Sequence, residues 1–407
     1  MAINFTNKKL VFLIAEMTMP PVSRANLRVY RLARILKKRP DLVVYMLTPS
    51  QMPWNRKSKY LEEIFMNQYW GFSDLLYSRV RILVRAWHFL ATVVSLVYLN
   101  FYCFRHNQQH IQIIHACNPL AGFAAVVTGK LISCSVYIDF CDFYSDIART
   151  DLPLLTGVLQ KMERFVLRNA TKIFVVSEAM KLYLSQKWKL PAKKIFVVSD
   201  GVDTKMFSSK KYSPQIIRRK LSLGFSPVII FHGDIRYDDG VDILFKAFPL
   251  VLKQLPETKL LLLGGGGSYF SHLKKSVSGK PFSSSIIHIN WVPHQEVPYY
   301  IAAADVGAMP MRPTLNNNTF VSFKLFEYWS MGKPVVITRL KALSRVVEND
   351  KTGIVVESEN PRELAKALVL LLQNPKLAQK IGRQAKATAQ KKFDWDMLMK
   401  KEAAYYL

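Results

Sequence analysis

Short runs of Val, Ile, Leu and Phe alternate along this chain with longer stretches whose apolar residues recur at helical spacing. LVFLIA (10–15) and DLVVYMLT (41–48) read as strands around a helix over 25–38. IQIIHA (111–116), a small-residue helix to about 132, SVYIDF (135–140), a helix over 151–169, KIFVVS (172–177) and KIFVVSD (194–200) continue the alternation. A turn- and charge-rich stretch, 201–226, breaks it. The pattern then resumes with PVIIFHG (227–233), a helix over 240–254, KLLLLG (259–264), SIIHINW (285–291), DVGAMP (305–310), a helix over 322–331, PVVIT (334–338), GIVVE (353–357) and closing helices. Strands separated by helices, without hairpin turns between them, predict parallel sheets covered on both faces.

The break predicts two α/β domains, 1–203 and 227–385, joined by a linker over 204–226. The C-terminal helix, 386–407, is expected to pack back on the first domain. Ligands of such domains bind beyond the C-terminal ends of the strands, so a cleft between the two is the expected site. The four cysteines form no CxxC pair and suit a reducing compartment. The N-terminal apolar run reads as a first strand with no signal-peptide cleavage site after it.

Charge changes the picture. Lys and Arg number 57 against 29 Asp and Glu, a net charge of +28, which predicts an anionic partner. No helix-turn-helix, zinc-finger or RNA-binding signature accompanies that charge, so nucleic acid is not the expected partner, although a basic nucleic-acid-binding protein stands as a third reading. Residues 51–105 interrupt the alternation with thirteen aromatics and a basic surplus of four. Within them, Arg79, Arg81 and Arg85 lead into nineteen nearly uncharged residues, 86–104. A membrane span needs about 20, but a span here would put strands of one sheet on opposite sides of the membrane. A fully buried helix and an interfacial helix facing anionic lipid remain as alternatives.

Candidate chemistry concentrates in PTLNNNTFVSFKLFEYWSMGKPVVIT (313–338), where a polar loop enters a helix that Gly332 ends. Ser322 and Phe323 open this helix, whose first-turn N–H groups form an anion site. Lys324 and Glu327 share one face. A cation followed one turn later by a carboxylate suits a phosphate followed by a ribose; a surface ion pair between the two is the bland alternative. Gly233 ends one strand and Gly265 lies in GGGGSYF (264–270), where backbone can approach a ligand. No acidic residue stands between Glu257 and Glu296, so the NAD pattern is incomplete. Asp394 of DWD (394–396) reads as a helix N-cap. His106 and His110 have no third ligand in view, and no metal is expected. His115 and Asp142 follow or end strands of the first domain, where cleft residues lie.

The 313–338 stretch resembles the donor-sugar segment of the family 4 glycosyltransferases, retaining enzymes of the GT-B fold. Other segments are similar in order and spacing: 170–184 with 194–207, IIFHG with DGVDILFKAFPLV (229–251), and 346–375. The resemblance covers nearly all of 110–395. It implies two Rossmann-like, doubly wound domains facing a central cleft, with the N-terminal domain holding the acceptor and the C-terminal one a nucleotide-diphosphate sugar. It implies transfer with retention, without metal or other cofactor, to a lipid-linked or glycan acceptor. A cytoplasmic protein peripheral on an anionic membrane face follows from the acceptor and from 51–105.

By the same resemblance Glu327 meets ribose. Lys324, Arg236 and the Gly233 backbone meet phosphates, with Ser322, Phe323 and Gly265 alongside. The base lies against Asn290–Pro293, including Val292, and Asp142 and His115 serve the sugar or acceptor. The sequence also departs from the family: Thr319 stands where a first glutamate is usual, Asp234 and Asp239 replace an Arg and a Lys, and the 17–28 loop lacks glycine. These departures motivate the alternative of a non-catalytic GT-B partner subunit.

Overall fold

The computed structural model describes residues 9–14, 24–49, 65–69, 93–94, 97–98, 101, 105, 110–151, 153–265 and 267–406. The chain divides into two compact units, 1–198 with 399–407, and 199–398.

In the first unit the strands are β1 (Lys9–Ile14), β2 (Leu42–Pro49), β3 (Phe65–Tyr69), β4 (Ile113–Cys117), β5 (Ser135–Phe140), β6 (Lys172–Val175) and β7 (Ile195–Val197). They form one parallel sheet in the order β3-β2-β1-β4-β5-β6-β7. The helices are α1 (Arg24–Leu36), α2 (Asn118–Leu131), α3 (Tyr144–Asp151), α4 (Thr156–Asn169) and α5 (Glu178–Lys187). All of β4 is buried, as is all of β5 after its first residue, which explains why these strands read as unbroken apolar runs. Ser177 starts α5 by accepting a hydrogen bond from the Met180 N–H.

Three expectations change here. Residues 65–69 form an edge strand parallel to β2 inside a segment read as strand-free. The helix expected over 151–169 begins only at Thr156, after a 3₁₀ turn at Pro153–Leu155 that separates it from α3, which ends at Asp151. Most of 86–104 lies outside the described residues, but Val94, Tyr98 and Phe101 are exposed, so a fully buried helix does not hold at these positions. Among the described residues no helix is long and apolar enough to cross a membrane.

The second unit holds β8 (Val228–Gly233), β9 (Lys259–Gly264), β10 (Ile286–Ile289), β11 (Val306–Met309), β12 (Val335–Thr338) and β13 (Ile354–Val356). These are parallel in the order β10-β9-β8-β11-β12-β13. Its helices are α6 (Pro214–Lys220), α7 (Val241–Leu252), α8 (Gly267–Val277), α9 (Val297–Ala303), α10 (Leu315–Thr319), α11 (Phe323–Ser330), α12 (Pro361–Gln373), α13 (Pro375–Lys392) and α14 (Trp395–Ala403), whose last turn counts with the first unit. Residues 204–226, expected as a linker, belong to this unit and carry α6. Asp394 accepts from the Asp396 N–H at 3.0 Å and from the Thr204 hydroxyl, and so starts α14.

The strand order reverses between β8 and β11, which opens a crevice at the carboxyl ends of these strands. Gly240 starts α7 with φ +69°, and a Cβ there would come within 2.0 Å of the Pro310 carbonyl oxygen. Only glycine lets α7 enter so close to the end of β11. Phe231, Leu244, Phe248, Leu262 and Leu368 pack the core beneath.

Candidate functional site

At the crevice of the second unit two glycine turns lie against each other. Gly233 ends β8 with φ +108°, and Gly264 and Gly265 follow at +110° and +120°. The Gly265 N–H donates to the Gly233 carbonyl oxygen at 3.1 Å. A Cβ on Gly264 would sit 2.4 Å from that same oxygen, so the approach requires glycine. The His288 ring holds the Gly264 carbonyl oxygen at 2.7 Å.

Helix α11 points its first turn at these turns. Ser322 is buried and makes no side-chain cap, so it uses none of the helix's free N–H groups; Phe323 is half-buried beside it. Lys324 lies along Gly233, where a Cβ would meet its Cε at 2.6 Å. Its ammonium donates to Asp239 Oδ1 at 2.8 Å and sits 4.6 Å from the centroid of the Phe231 ring. Arg236 forks onto Asp238 at 3.1 and 2.8 Å. Burial opposes its charge, but that pairing and the neighbouring aspartates prevail and raise its pKa. Asp234 titrates higher than an ordinary aspartate, first because of burial and then because of Asp239. Both cations assigned to phosphate are therefore held by aspartates of the 234–240 loop.

Glu327, one turn further on, is 2% exposed. Its Oε1 accepts from His294 Nε2 at 2.6 Å. His232 Nε2 lies 3.3 Å from Oε2 without hydrogen-bond alignment, so neither atom has a hydrogen-bond partner among the described residues. Burial holds His232 well below the usual histidine range, with Lys324 and His294 adding to the effect. The ion pair expected between Lys324 and Glu327 as the bland reading does not form; each has a different partner. Val292 is half-buried in the segment between β10 and His294, and Trp291 beside it is 63% exposed. Thr319, at the position of the missing glutamate, spends its hydroxyl on the Leu315 carbonyl at 2.7 Å and supplies no substitute carboxylate.

His115 and Asp142 belong to the first unit. Asp142 is half-buried in the turn between β5 and α3. His115 needs correction: it is fully buried, hydrogen-bonded through Nδ1 to the Tyr406 hydroxyl and stacked 5.8 Å from Phe174. Burial, with Arg28 nearby, lowers its pKa to about 3. It is a core side chain sealed from solvent rather than a residue open to the crevice.

The same core holds two sets of metal-ligand side chains, Cys117 with Asp139 and Cys141, and His115 with Asp139 and Glu402. Arg28 occupies the place of a cation there. It pairs with Asp139, donates to Glu402 at 2.7 Å and donates to the Val198 carbonyl oxygen at 2.9 Å. The Cys141 thiol is raised well above its ordinary value, chiefly by its hydrogen bond with Cys117 and by burial, which opposes the thiolate a metal needs.

Sequence reasoning missed His232, His294 and the partner role of Asp239. His232 sat inside a strand, and His294 lay one residue past the segment read as the base platform.

Comparison with known proteins bears on both units. Residues 25–206 match the family described as Glycosyltransferase Family 4, and residues 226–374 match Glycosyl transferases group 1. A GDP-mannose-dependent alpha-(1-6)-phosphatidylinositol monomannoside mannosyltransferase of Mycolicibacterium smegmatis is 28% identical over 48% of this chain and 51% of its own length. The chain thus spans about half the length of the mannosyltransferase it matches. A putative teichuronic acid biosynthesis glycosyltransferase of Bacillus subtilis is 26% identical over 72% of this chain and 66% of its own. Sucrose-phosphate synthase of Thermosynechococcus elongatus superposes with a TM-score of 0.79 at 18% identity over 98% of both chains. HepE of Anabaena, solved with UDP, gives 0.74 at 15% over 98% of this chain and 99% of its own. These two show the fold. With its two parallel sheets and its two matched segments, the chain belongs to the group 1, family 4 glycosyltransferases of the GT-B fold.

Proposed function

We propose that the protein is a retaining glycosyltransferase that moves a sugar from a nucleotide-diphosphate sugar to a lipid-linked or glycan acceptor. The observation that carries the donor site is Glu327: a buried carboxylate one turn into α11, with one oxygen lacking a hydrogen-bond partner among the described residues. A ribose hydroxyl is a fitting donor to that oxygen. The first turn of α11, the Gly233 backbone and the Lys324 ammonium then face the diphosphate, and the base lies along Asn290–Pro293. In the reaction the bond from the anomeric carbon to the diphosphate breaks, and its electron pair leaves with the phosphate oxygen. The acceptor oxygen bonds to the same face, and its proton passes to the departing phosphate. No metal or other cofactor enters this scheme. The protein contributes positioning and charge stabilisation, with Asp142 directed at the sugar or acceptor.

The lipid-linked acceptor is supported by the phosphatidylinositol-linked substrate in the name of the mycobacterial relative. Contact with an anionic membrane through 51–105, on the cytoplasmic face, completes the reading. Val94, Tyr98 and Phe101 support it as exposed apolar side chains, and Arg105 as an exposed cation.

A second reading, a non-catalytic partner subunit, is favoured by one observation: Lys324 and Arg236 are already neutralised by Asp239 and Asp238. The deciding experiment offers UDP-, GDP- and ADP-sugars with lipid acceptors and follows the anomeric configuration of the product by NMR. Turnover with retention supports the first reading. Donor binding without turnover across the panel supports the second, and an inverted product overturns retention.

A further inference from the structure

Helix α4 carries an outer face whose chemistry the reaction does not use. Its inner face buries Glu163, Val166 and Leu167. Outward, Leu154 is 95% exposed, Val158 64% and Phe165 36%, and Lys161 and Arg168 stand between and beyond them. The spacing 154, 158, 161, 165, 168 draws one line along the helix and back through the turn before it. The end of α2 extends the patch. Leu131 is 67% exposed, and Lys130 sits 5.1 Å from the centroid of the Phe165 ring. The sole acidic side chain of α4, Glu163, is fully buried and bound to the Ser145 hydroxyl at 2.7 Å. The outward charges of this helix are therefore all positive: Lys161, Arg164 and Arg168.

We infer that this face docks on an anionic lipid bilayer. Exposed Leu, Val and Phe in a line, flanked by cations on a helix whose one carboxylate is buried, match an interface of acyl chains below and phosphate head groups above. A second copy of the chain fits poorly, because two faces of the same positive charge repel. The inference rests on the membrane part of the proposed function and extends it to residues outside 51–105.

The test is co-sedimentation of the full chain with phosphatidylglycerol–phosphatidylcholine vesicles and with phosphatidylcholine vesicles. The parent is compared with Lys161→Glu/Arg168→Glu, with Leu154→Ser/Val158→Ser and with Arg79→Glu/Arg81→Glu/Arg85→Glu. The parent is expected to prefer anionic vesicles. Each α4 double variant is expected to lose about tenfold or more of that binding, with unchanged melting temperature and unchanged UDP or GDP binding. Parent-like vesicle binding by either α4 variant overturns the inference. If the triple arginine variant alone loses binding, the membrane reading stands and this face falls. Absence of vesicle binding by the parent removes both, while donor turnover still judges the enzyme separately. Charge-insensitive self-association through α4 also overturns it.

Discussion

Each unit buries a polar cluster near the carboxyl ends of its strands, and the two clusters are built differently. In the first, Arg28 answers Asp139, Glu402 and the Val198 carbonyl, and Tyr406 closes over His115. All five of those side chains are fully buried apart from bulk water. Each cluster keeps a buried atom without a hydrogen-bond partner among the described residues, His115 Nε2 in the first and Glu327 Oε2 in the second, but in the second the partner His294 keeps 44% of its side chain exposed. Positive-φ glycines border this second cluster. A polar cluster whose side chains are all sealed from water fixes a fold. One whose partner side chain stands open to solvent can exchange that partner for a ligand.

The largest expected effect breaks the first cluster. Arg28→Met leaves two buried carboxylates without their cation, a loss of about 3–5 kcal/mol. Denaturant unfolding should show it, with residues 399–406 released from the first unit as judged by hydrogen exchange. Stability unchanged within about 1 kcal/mol of the parent would mean that the cluster is no structural lock.

In the second cluster the corresponding substitution should act on ligand and spare the fold. Glu327→Ala removes a charge-assisted contact worth about 1.5–3 kcal/mol. Affinity for the donor nucleotide should fall about 10- to 100-fold. Calorimetric titration with UDP and GDP measures it, and parent-like affinity would contradict the ribose role.

Much of this contrast lay beyond the sequence. The two glycine turns, the start of α11 and the shared face of Lys324 and Glu327 were legible, because φ preference and helical periodicity are local properties. Pairing is not local. Arg28 and Glu402 stand 374 positions apart, and Lys324 meets Asp239 across 85. The expected cleft role of His115 failed for the same reason: being at a strand's end does not reveal that Tyr406 returns to cover it. Strand β3 was missed because Asn67 and Gln68 interrupt its apolar run, as an edge strand tolerates. Helix α10 was missed because LNNNT reads as a loop; Thr314 caps it by accepting from the Asn317 N–H.

Acid should weaken both clusters through their buried histidines, and substitution can apportion the loss. His115 titrates near 3 when folded and near 6.5 when unfolded. A depressed histidine favours the folded state fully above the unfolded value, and that contribution fades as pH falls toward 3. Between pH 7 and pH 5 the loss is about 2 kcal/mol for this residue. His232 is shifted in the same direction by its burial and adds to the loss. Chemical denaturation across this range measures the sum. His115→Gln should flatten the part belonging to the first unit, and an unaltered pH slope in that variant would show that His115 does not carry it.

The smallest effect sharpens the comparison most. His294 reaches Glu327 from an exposed turn and lies 5.2 Å from the Phe207 ring, tilted 49° to it. If it only holds the carboxylate until a ligand arrives, His294→Ala loses a hydrogen bond that water can replace, worth about 1 kcal/mol or less in stability. Donor affinity should then change by less than about fivefold, far below the loss in Glu327→Ala. Thermal melting and nucleotide titration of the two variants side by side check this. A His294→Ala protein as destabilised as Arg28→Met would show that the second cluster is a closed lock like the first. Intact stability with nearly parent-like nucleotide binding identifies His294 as an exchangeable cover over Glu327.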